Sequence, residues 1–378
     1  MAAPAKAKVD PNAPITFLTP SQLIAQARKK YGDGIIISGK QLKNRKLLRA
    51  TTGSLGFDYV LGGGWVLNQW CEVIGKESSA KTALLLKTIA VNQALNKKYY
   101  ALWIASEPFN VAYAESYGVD MDRIHIVETN VLEEAYDIVT EWQRNRACDA
   151  IVIDSYPAMT SNAEDEAGFD NKTPAINARL NGVFFRKSTA AGRRHLHKPD
   201  RDCLLLMVNQ WRMQIGVLMG DPRITPGGLA KNYHFAARVE TKREKYIDID
   251  GRRVGIKMFM QTIKNKTAPV GRTAVVDLYF EETGTGFHAG DFDLAGDAFN
   301  TGRYMEIIHK GKPMFSYLDR GWKSAAECTA SLREEPLLMA SLRADVLKFS
   351  GVPLSQVPAA LPVSGISAPK RMIKRPVK

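Results

Sequence analysis

The chain has 378 residues, enough for a full core and two or three domains, and its 45% hydrophobic and 24% charged residues are ordinary for a globular protein. No apolar run reaches the roughly 20 residues of a membrane helix, and four cysteines (Cys71, Cys148, Cys203, Cys328) without C-x-x-C spacing argue against a disulfide scaffold or zinc site. The 52 Lys and Arg against 39 Asp and Glu, a net charge of +13, point to a polyanionic partner, nucleic acid or an anionic membrane surface.

The first 14 residues, MAAPAKAKVDPNAP, lack the apolar core of a secretory signal, so disorder and a reducing, cytoplasmic location are expected. At Thr19-Pro20-Ser21-Gln22 the chain offers an N-cap, a proline at the first helical position and the partner of a capping box. Leu23, Ile24, Ala27 and Tyr31 follow at helical spacing, and Gly32 stops the helix. From residue 50 to about 280, short apolar strands alternate with amphipathic helices: strand 70–74, helix 81–96, strand 101–105, helix 131–142, strands 150–153 and 203–208. That alternation predicts a largely parallel sheet covered by helices, with ligand sites beyond the carboxyl ends of its strands. Residues 284–350 shift towards Gly and aromatics, a small separate α/β domain, and 351–378 end in a basic, flexible arm.

The stretch GKESSAKT at 75–82 follows a strand and opens a helix, where backbone N–H groups and the helix dipole cradle phosphates. Lys81 would reach the β- and γ-phosphates and Thr82 would hold Mg²⁺. Ala80 stands where the motif has its second glycine; in left-handed backbone its methyl costs roughly 1–2 kcal/mol. On the motif alone the stretch is a working site, a decayed one or a coincidence. Asp154 ends the strand AIVID, either to support a metal or to cap the next turn. Glu107, just past ALWIAS, is placed to deprotonate an attacking water, and Asn209-Gln210, ending CLLLMV, to sense a γ-phosphate.

Lys264 and Lys266, two apart on a strand, share a face, either to serve one phosphate or as solvated lysines. Residues 211–228 are a long loop with four glycines, two prolines and one acid, Asp221. In it Arg212 can pair with phosphate, as can backbone N–H groups near Gly227 and Gly228, and Ile215 can wedge between bases. Arg179 and Arg186, two helical turns apart, share a face, on spacing alone a plain basic surface. In GRRHLHKPDR at 192–201, His195 and His197 read as loop residues rather than metal ligands.

The segment TTGSLGFDYVLGGGWVLNQWCEVIGKESSAKT at 51–82 resembles the region leading into the ATP site of the bacterial RecA recombinases. NQWRMQIGVLMGDPRITPGG at 209–228 is similar to that family's second DNA-binding loop and the strand before it, and Lys264-Asn265-Lys266 falls where the family carries paired lysines. Order and spacing recur together, with gaps, from about residue 17 to 350.

The resemblance implies an α/β fold: a RecA-like P-loop ATPase core with a mainly parallel central sheet, an N-terminal helix and a small C-terminal α/β domain. The corresponding boundaries are 1–45 for the tail and oligomerisation helix, 46–283 for the core, 284–350 for the small domain and 351–378 for the basic tail. It implies ATP and Mg²⁺, with Gly75, Lys76, Glu77, Ser78, Ser79, Ala80, Lys81 and Thr82 as the phosphate loop, and Thr82 and Asp154 at the metal. Glu107 becomes the general base, Gln210 the γ-phosphate sensor, and Lys264 and Lys266 reach the nucleotide of a neighbouring subunit. Asn110, Tyr113 and Tyr279 are implied nucleotide contacts, although SEPFNVAY around Glu107 is one residue shorter than the family's stretch.

For single-stranded DNA the resemblance implies Arg179, Arg186, Arg212, Met213, Ile215, Gly216, Arg223, Gly227 and Gly228, with a first DNA loop at 164–173. The implied activity is a DNA-dependent ATPase that self-associates into a helical filament on single-stranded DNA and exchanges strands with homologous duplex DNA, with no membrane partner. The alternatives are an accessory protein that coats DNA without exchange and, more weakly, a ring-shaped helicase. Many relatives end in an acidic tail that restrains DNA binding; here the basic tail implies that the restraint is missing.

Overall fold

Thr19 and Gln22 close a reciprocal cap, the Gln22 N–H donating to Thr19 Oγ1 and the Thr19 N–H to Gln22 Oε1 at 2.9 Å, and they start helix α1 (Pro20–Tyr31). Gly32, at φ 98°, ends it as expected. The computed structural model describes residues 17–32, 34–43, 47–167, 174–195, 201–214, 216, 219–228, 230–312 and 314–350. The expectations for residues 1–16, for Lys172 and the rest of 168–173, for His197, for Ile215 and for the 351–378 tail lie outside the described residues. The chain divides into two compact units between Lys46 and Leu47, and α1 belongs to the first.

The second unit is built on an eight-stranded sheet. Its strands are β1 (Trp70–Gly75), β2 (Ala101–Ala105), β3 (Ile124–Glu128), β4 (Ala150–Asp154), β5 (Leu204–Gln210), β6 (Ala237–Ile249), β7 (Arg252–Asn265) and β8 (Thr273–Tyr279). The spatial order is β8-β7-β6-β1-β5-β4-β2-β3. Every neighbouring pair from β6 to β3 is parallel, whereas β6/β7 and β7/β8 are antiparallel. The fold is therefore α/β with a mainly parallel sheet.

The central strands are apolar on both faces because both are covered. Val73, Val152, Leu206 and Trp103 lie on the side of α2 (Leu55–Leu61) and α3 (Lys81–Leu95), while Ile151, Met207 and Ile104 lie with α4 (Leu132–Asn145) and Phe184 and Phe185 of α5 (Pro174–His195). A short helix, α6 (Ala230–His234), leads into β6. A third core cluster joins Leu55 to α7 (Leu294–Tyr304), a three-stranded antiparallel sheet, α8 (Ala325–Glu334) and α9 (Pro336–Phe349).

Three expectations need correction. Strand–helix alternation does not run to residue 280: β6 and β7, 13 and 14 residues long, form a hairpin across Asp250-Gly251, both at positive φ. The Asp-Gly pair between strand-like runs is the sequence signal for that hairpin. His195 is not in a loop but is the last residue of α5. The 211–228 segment is also not structureless, since Arg212 pairs with Ile224 and Met213 with Arg223 in a short antiparallel ladder.

Candidate nucleotide site and nucleic-acid interface

The sheet brings β1 to Gly75 and turns it into α3 at Lys81, so the expected phosphate loop spans the gap between a buried strand and a 15-residue helix. Ala80 is left-handed, at φ 60° and ψ 30°, and Ser78 is at φ 55°. Ala80 supplies no side-chain cap, which leaves the first-turn N–H groups of α3 without a side-chain acceptor from that position and facing the side where a helix attracts anions. Gly75 is required sterically: a Cβ there would lie 2.2 Å from Ser79 Oγ and 2.7 Å from the Thr241 carbonyl oxygen. Ser79 Oγ in turn meets Thr241 Oγ1 at 3.2 Å, tying the loop to β6. Lys76 and Glu77 are exposed.

The Lys81 ammonium folds back onto its own loop, donating to the Lys76 carbonyl at 2.7 Å and the Gly75 carbonyl at 3.4 Å. Burial lowers its pKa, and Asp154 and Glu77 oppose that. Thr82 Oγ1 donates to Asp154 Oδ2 at 2.7 Å. Burial pushes the Asp154 carboxyl up to about 6, against the Thr82 hydrogen bond and the Lys81 charge, with Glu107 adding to the rise. Ser106 stitches the two strand tips together: its N–H donates to the Asp154 carbonyl at 3.0 Å and its Oγ accepts the Ser155 N–H at 2.8 Å. Glu107, next in the chain, is exposed.

A hydroxyl beside a carboxylate is an oxygen pair of the kind Mg²⁺ takes, with water and phosphate completing its shell. Among the described residues no group of three or more His, Cys, Asp and Glu could hold a metal ion by itself. The donors present therefore fit a magnesium–polyphosphate and not an all-protein metal cage.

Of the three expected nucleotide contacts, Asn110 caps a short helix, its side chain accepting the Tyr113 N–H at 2.9 Å. Tyr113 bonds the Tyr117 hydroxyl at 3.0 Å, and its phenol is raised by burial and, after the opposing Tyr117 bond, by the Asp154 charge. Tyr279 lies elsewhere, at the end of β8, where it is 7% exposed and its ring stacks on Phe287 at 4.2 Å. The Tyr279 hydroxyl is pushed up to about 12 by burial and by Asp277 and Asp293.

The 211–228 segment leaves the sheet beside the 75–82 loop. Gln210, the last residue of β5, is in register with Gly75 of β1, and its Oε1 accepts from the Arg212 guanidinium at 3.2 Å. Arg212, Met213 and Gly216 are exposed. Gly227, at φ 95°, packs so closely that a Cβ would sit 2.8 Å from both Tyr156 Oη and Asn181 Nδ2, and Asn181 Nδ2 donates to its carbonyl at 3.1 Å. Gly228 is also at positive φ, beside Ala178. Arg179 and Arg186 are both exposed on α5, as their spacing requires.

Lys264 and Lys266 reach the carboxyl end of α6 together, Lys264 donating to the Asn232 carbonyl and Lys266 to the Tyr233 carbonyl at 2.8 Å. Asn265 points away, anchoring the turn through Leu61, Thr267 and Ala268. The His234 imidazole is lowered by burial first, then by Lys266, Arg186 and Lys264, so these cations share one field.

Sequence reasoning missed what sits beneath this loop. Glu72, fully buried in β1, is bonded by Lys231 at 3.0 Å, Asn209 at 2.7 Å and Arg238, while Lys231 also donates to Thr225 of the loop at 2.7 Å. A charged residue inside an otherwise apolar strand was the available signal. Glu240 of β6 was missed too, and nothing in its alternating, charged neighbourhood singles it out.

Comparison with known proteins agrees with this geometry. A family model of the RecA N-terminal domain matches residues 20–285. The chain is 33% identical over 327 residues to Protein RecA of Thermus aquaticus, covering 85% of this chain and 91% of that one. It is 32% identical over 341 residues to Protein RecA 1 of Myxococcus xanthus, covering 89% and 94%, and 30% identical over 355 residues to Protein RecA of Delftia acidovorans, covering 92% and 90%. A phosphate loop and a glycine-rich loop leaving adjacent strands of a mainly parallel sheet, with a family match over most of the chain, place this protein in the RecA family as a divergent member.

Proposed function

We propose that the protein is a DNA-dependent ATPase that assembles as a helical filament on single-stranded DNA and catalyses homologous pairing and strand exchange with duplex DNA. The observation that carries this reading is the rung between Gly75 and Gln210, which ties the start of the phosphate loop to the root of the DNA loop. Whatever orders one end of that rung is felt at the other, the requirement for an order–disorder switch.

In this reading ATP lies along 75–82, and Lys81 leaves its backbone carbonyls for the phosphates. Thr82 and Asp154 hold Mg²⁺, which when bound neutralises phosphate charge. Glu107 takes a proton from the attacking water. Lys264 and Lys266, already aimed together, serve the γ-phosphate of a neighbouring subunit, so the active site is completed by self-association. Asn110 and Tyr113 lie against the base; Tyr279 joins them only where Phe287 yields its ring. Arg179, Arg186, Arg212, Met213, Ile215, Gly216, Arg223, Gly227 and Gly228 line the DNA path. The proposed boundaries are those drawn from the sequence (1–45, 46–283, 284–350 and 351–378), and the cytoplasm is the proposed location. Among the described residues no helix is long and apolar enough to cross a membrane.

The test is ATP hydrolysis with and without long single-stranded DNA, for the wild type and for Lys264→Ala/Lys266→Ala. Strong DNA stimulation, lost in the double variant while DNA still binds, is expected. Absence of stimulation, or full activity in the double variant, would leave a protein that coats DNA without exchanging strands.

A further inference from the structure

Arg223, which a DNA-binding loop would offer to phosphate, already has all three of its guanidinium nitrogens engaged. Asp221 takes Nε and NH2 at 3.0 and 2.8 Å, and Glu240 takes NH1 at 2.9 Å. The guanidinium also lies over the Trp211 ring, 4.8 Å from its centroid, and the Trp211 indole N–H donates to the same Glu240 oxygen at 3.0 Å. Glu240 divides its work between its two oxygens. Oε1 holds the loop, through Trp211 and Arg223; Oε2 holds the sheet, through Gln261 at 2.6 Å and Lys242 at 3.2 Å. Its side chain is 3% exposed. It sits in register with Ile74 of β1, and the next residue, Thr241, touches Ser79 of the phosphate loop.

We infer that Glu240 is a positioning residue: its carboxylate stands in for a nucleic-acid phosphate at Arg223, holding Arg223 over a fixed Trp211 in a DNA-free pose from which a phosphate draws only the Arg223 guanidinium. The inference rests on the reading of 211–228 as the DNA-binding loop. The exchange is feasible because it orphans nothing. When Arg223 leaves, Glu240 keeps Trp211, Gln261 and Lys242, so the buried carboxylate avoids the penalty of an unpaired charge. Asp221 is exposed and turns to water. Arg223 then meets a phosphate with its guanidinium fork and its stacking face already set by Trp211, a pose suited to a base stacked beside a backbone phosphate. The nucleotide bears on the same device, because β6 carries both Glu240 and the residue that braces the phosphate loop.

Two measurements on the full chain test this. The first is single-stranded DNA binding as a function of salt for wild type, Glu240→Gln, Arg223→Gln and the double variant. Glu240→Gln is expected to bind about three- to tenfold tighter at low salt. Its salt dependence should steepen by up to roughly 0.7 in the log–log slope, one phosphate contact no longer offset by a vacated carboxylate. In the Arg223→Gln background the same change should do nothing. A Glu240→Gln protein with wild-type affinity and slope, or with the same gain when Arg223 is absent, overturns the inference. The second is hydrogen–deuterium exchange without DNA over residues 211–214 and 221–225. Several-fold faster exchange is expected in Glu240→Gln, and also in Arg223→Gln, which spares the buried carboxylate if Glu240→Gln does not fold. Unchanged exchange in these variants sinks the clamp itself, whereas a wild type that binds no single-stranded DNA sinks the DNA-loop reading and the phosphate displacement with it.

Discussion

Two residues bear most directly on the proposed phosphate loop, and each makes a prediction. Ala80 holds a left-handed backbone with one methyl more than glycine, a strain of roughly 1–2 kcal/mol. Ala80→Gly relieves it but loosens the unfolded chain by a comparable amount, so stability should move by less than about 1 kcal/mol. Ala80→Val places a β-branched residue at positive φ, where it is an outlier. Denaturant unfolding should show it destabilised by about 1 kcal/mol or more, and nucleotide binding should be largely lost.

Asp154 is the second residue. Its folded carboxyl keeps a proton up to about 6, against an ordinary value of 3.8. A cation needs the ionised form, so magnesium–nucleotide affinity should fall as pH drops through 6, by at most about tenfold per unit. Asp154→Asn should bind more weakly and lose that component. Titrating both proteins from about pH 7.5 to about pH 5 separates the carboxyl from the nucleotide's own protonation, and parallel curves would refute the assignment.

At the scale of elements, the sheet and the 211–228 segment are joined by buried charge. Glu72 compensates Lys231 and Arg238, and Lys231 holds Thr225 of the loop. Removing one member of such a set leaves the others buried and unpaired, which costs about 3–5 kcal/mol. Glu72→Ala should show a loss of that size in urea unfolding, and protease should cut within 211–228 before the core yields. Simultaneous cutting everywhere would mean that Glu72 only supports the sheet. Much of this architecture was legible in sequence. Strand 101–105 and the Thr19 cap are where periodicity and capping residues put them, and helix 81–96 ends one residue early. The β6–β7 hairpin was announced only by its Asp250-Gly251 turn, because its charged, alternating strands resemble neither a fully buried strand nor an amphipathic helix, and their length and register are a long-range decision. Lys264 and Lys266 could be placed on one face by counting, but their common target on α6 could not.

For the molecule as a whole, the second unit should be less stable at alkaline than at acid pH through one group. Asp297 of α7 is fully buried against the start of α2, accepting from Ser54 Oγ at 2.9 Å and the Gly56 N–H at 3.0 Å. Burial pushes its carboxyl up to about 7, and Asp58 adds to the rise. The folded chain thus keeps a proton that the unfolded chain releases near 3.8. The folded state binds more protons between those values, so this group's contribution to stability falls as pH rises from about 4 to about 7 and is level beyond. The amide of an Asp297→Asn variant cannot ionise, so the wild type's advantage over it should shrink, or reverse, between about pH 5 and about pH 8 in denaturant unfolding. A constant difference would show that the ionised carboxylate costs nothing there.

What the sequence determined by itself is local or periodic: which residues cap, which alternate, where a loop rich in glycine must follow a strand, and a family likeness carried by motif order. Those properties depend on neighbours a few residues away, and they are written directly in the chain. What only the tertiary structure decided is which charges meet. Gly75 lies beside Gln210, Glu240 under Arg223 and Glu72 under Lys231 because strands far apart in sequence are adjacent in the sheet. A carboxylate's role depends on the cation across from it and on how much water is excluded, and neither is a property of its own stretch of sequence.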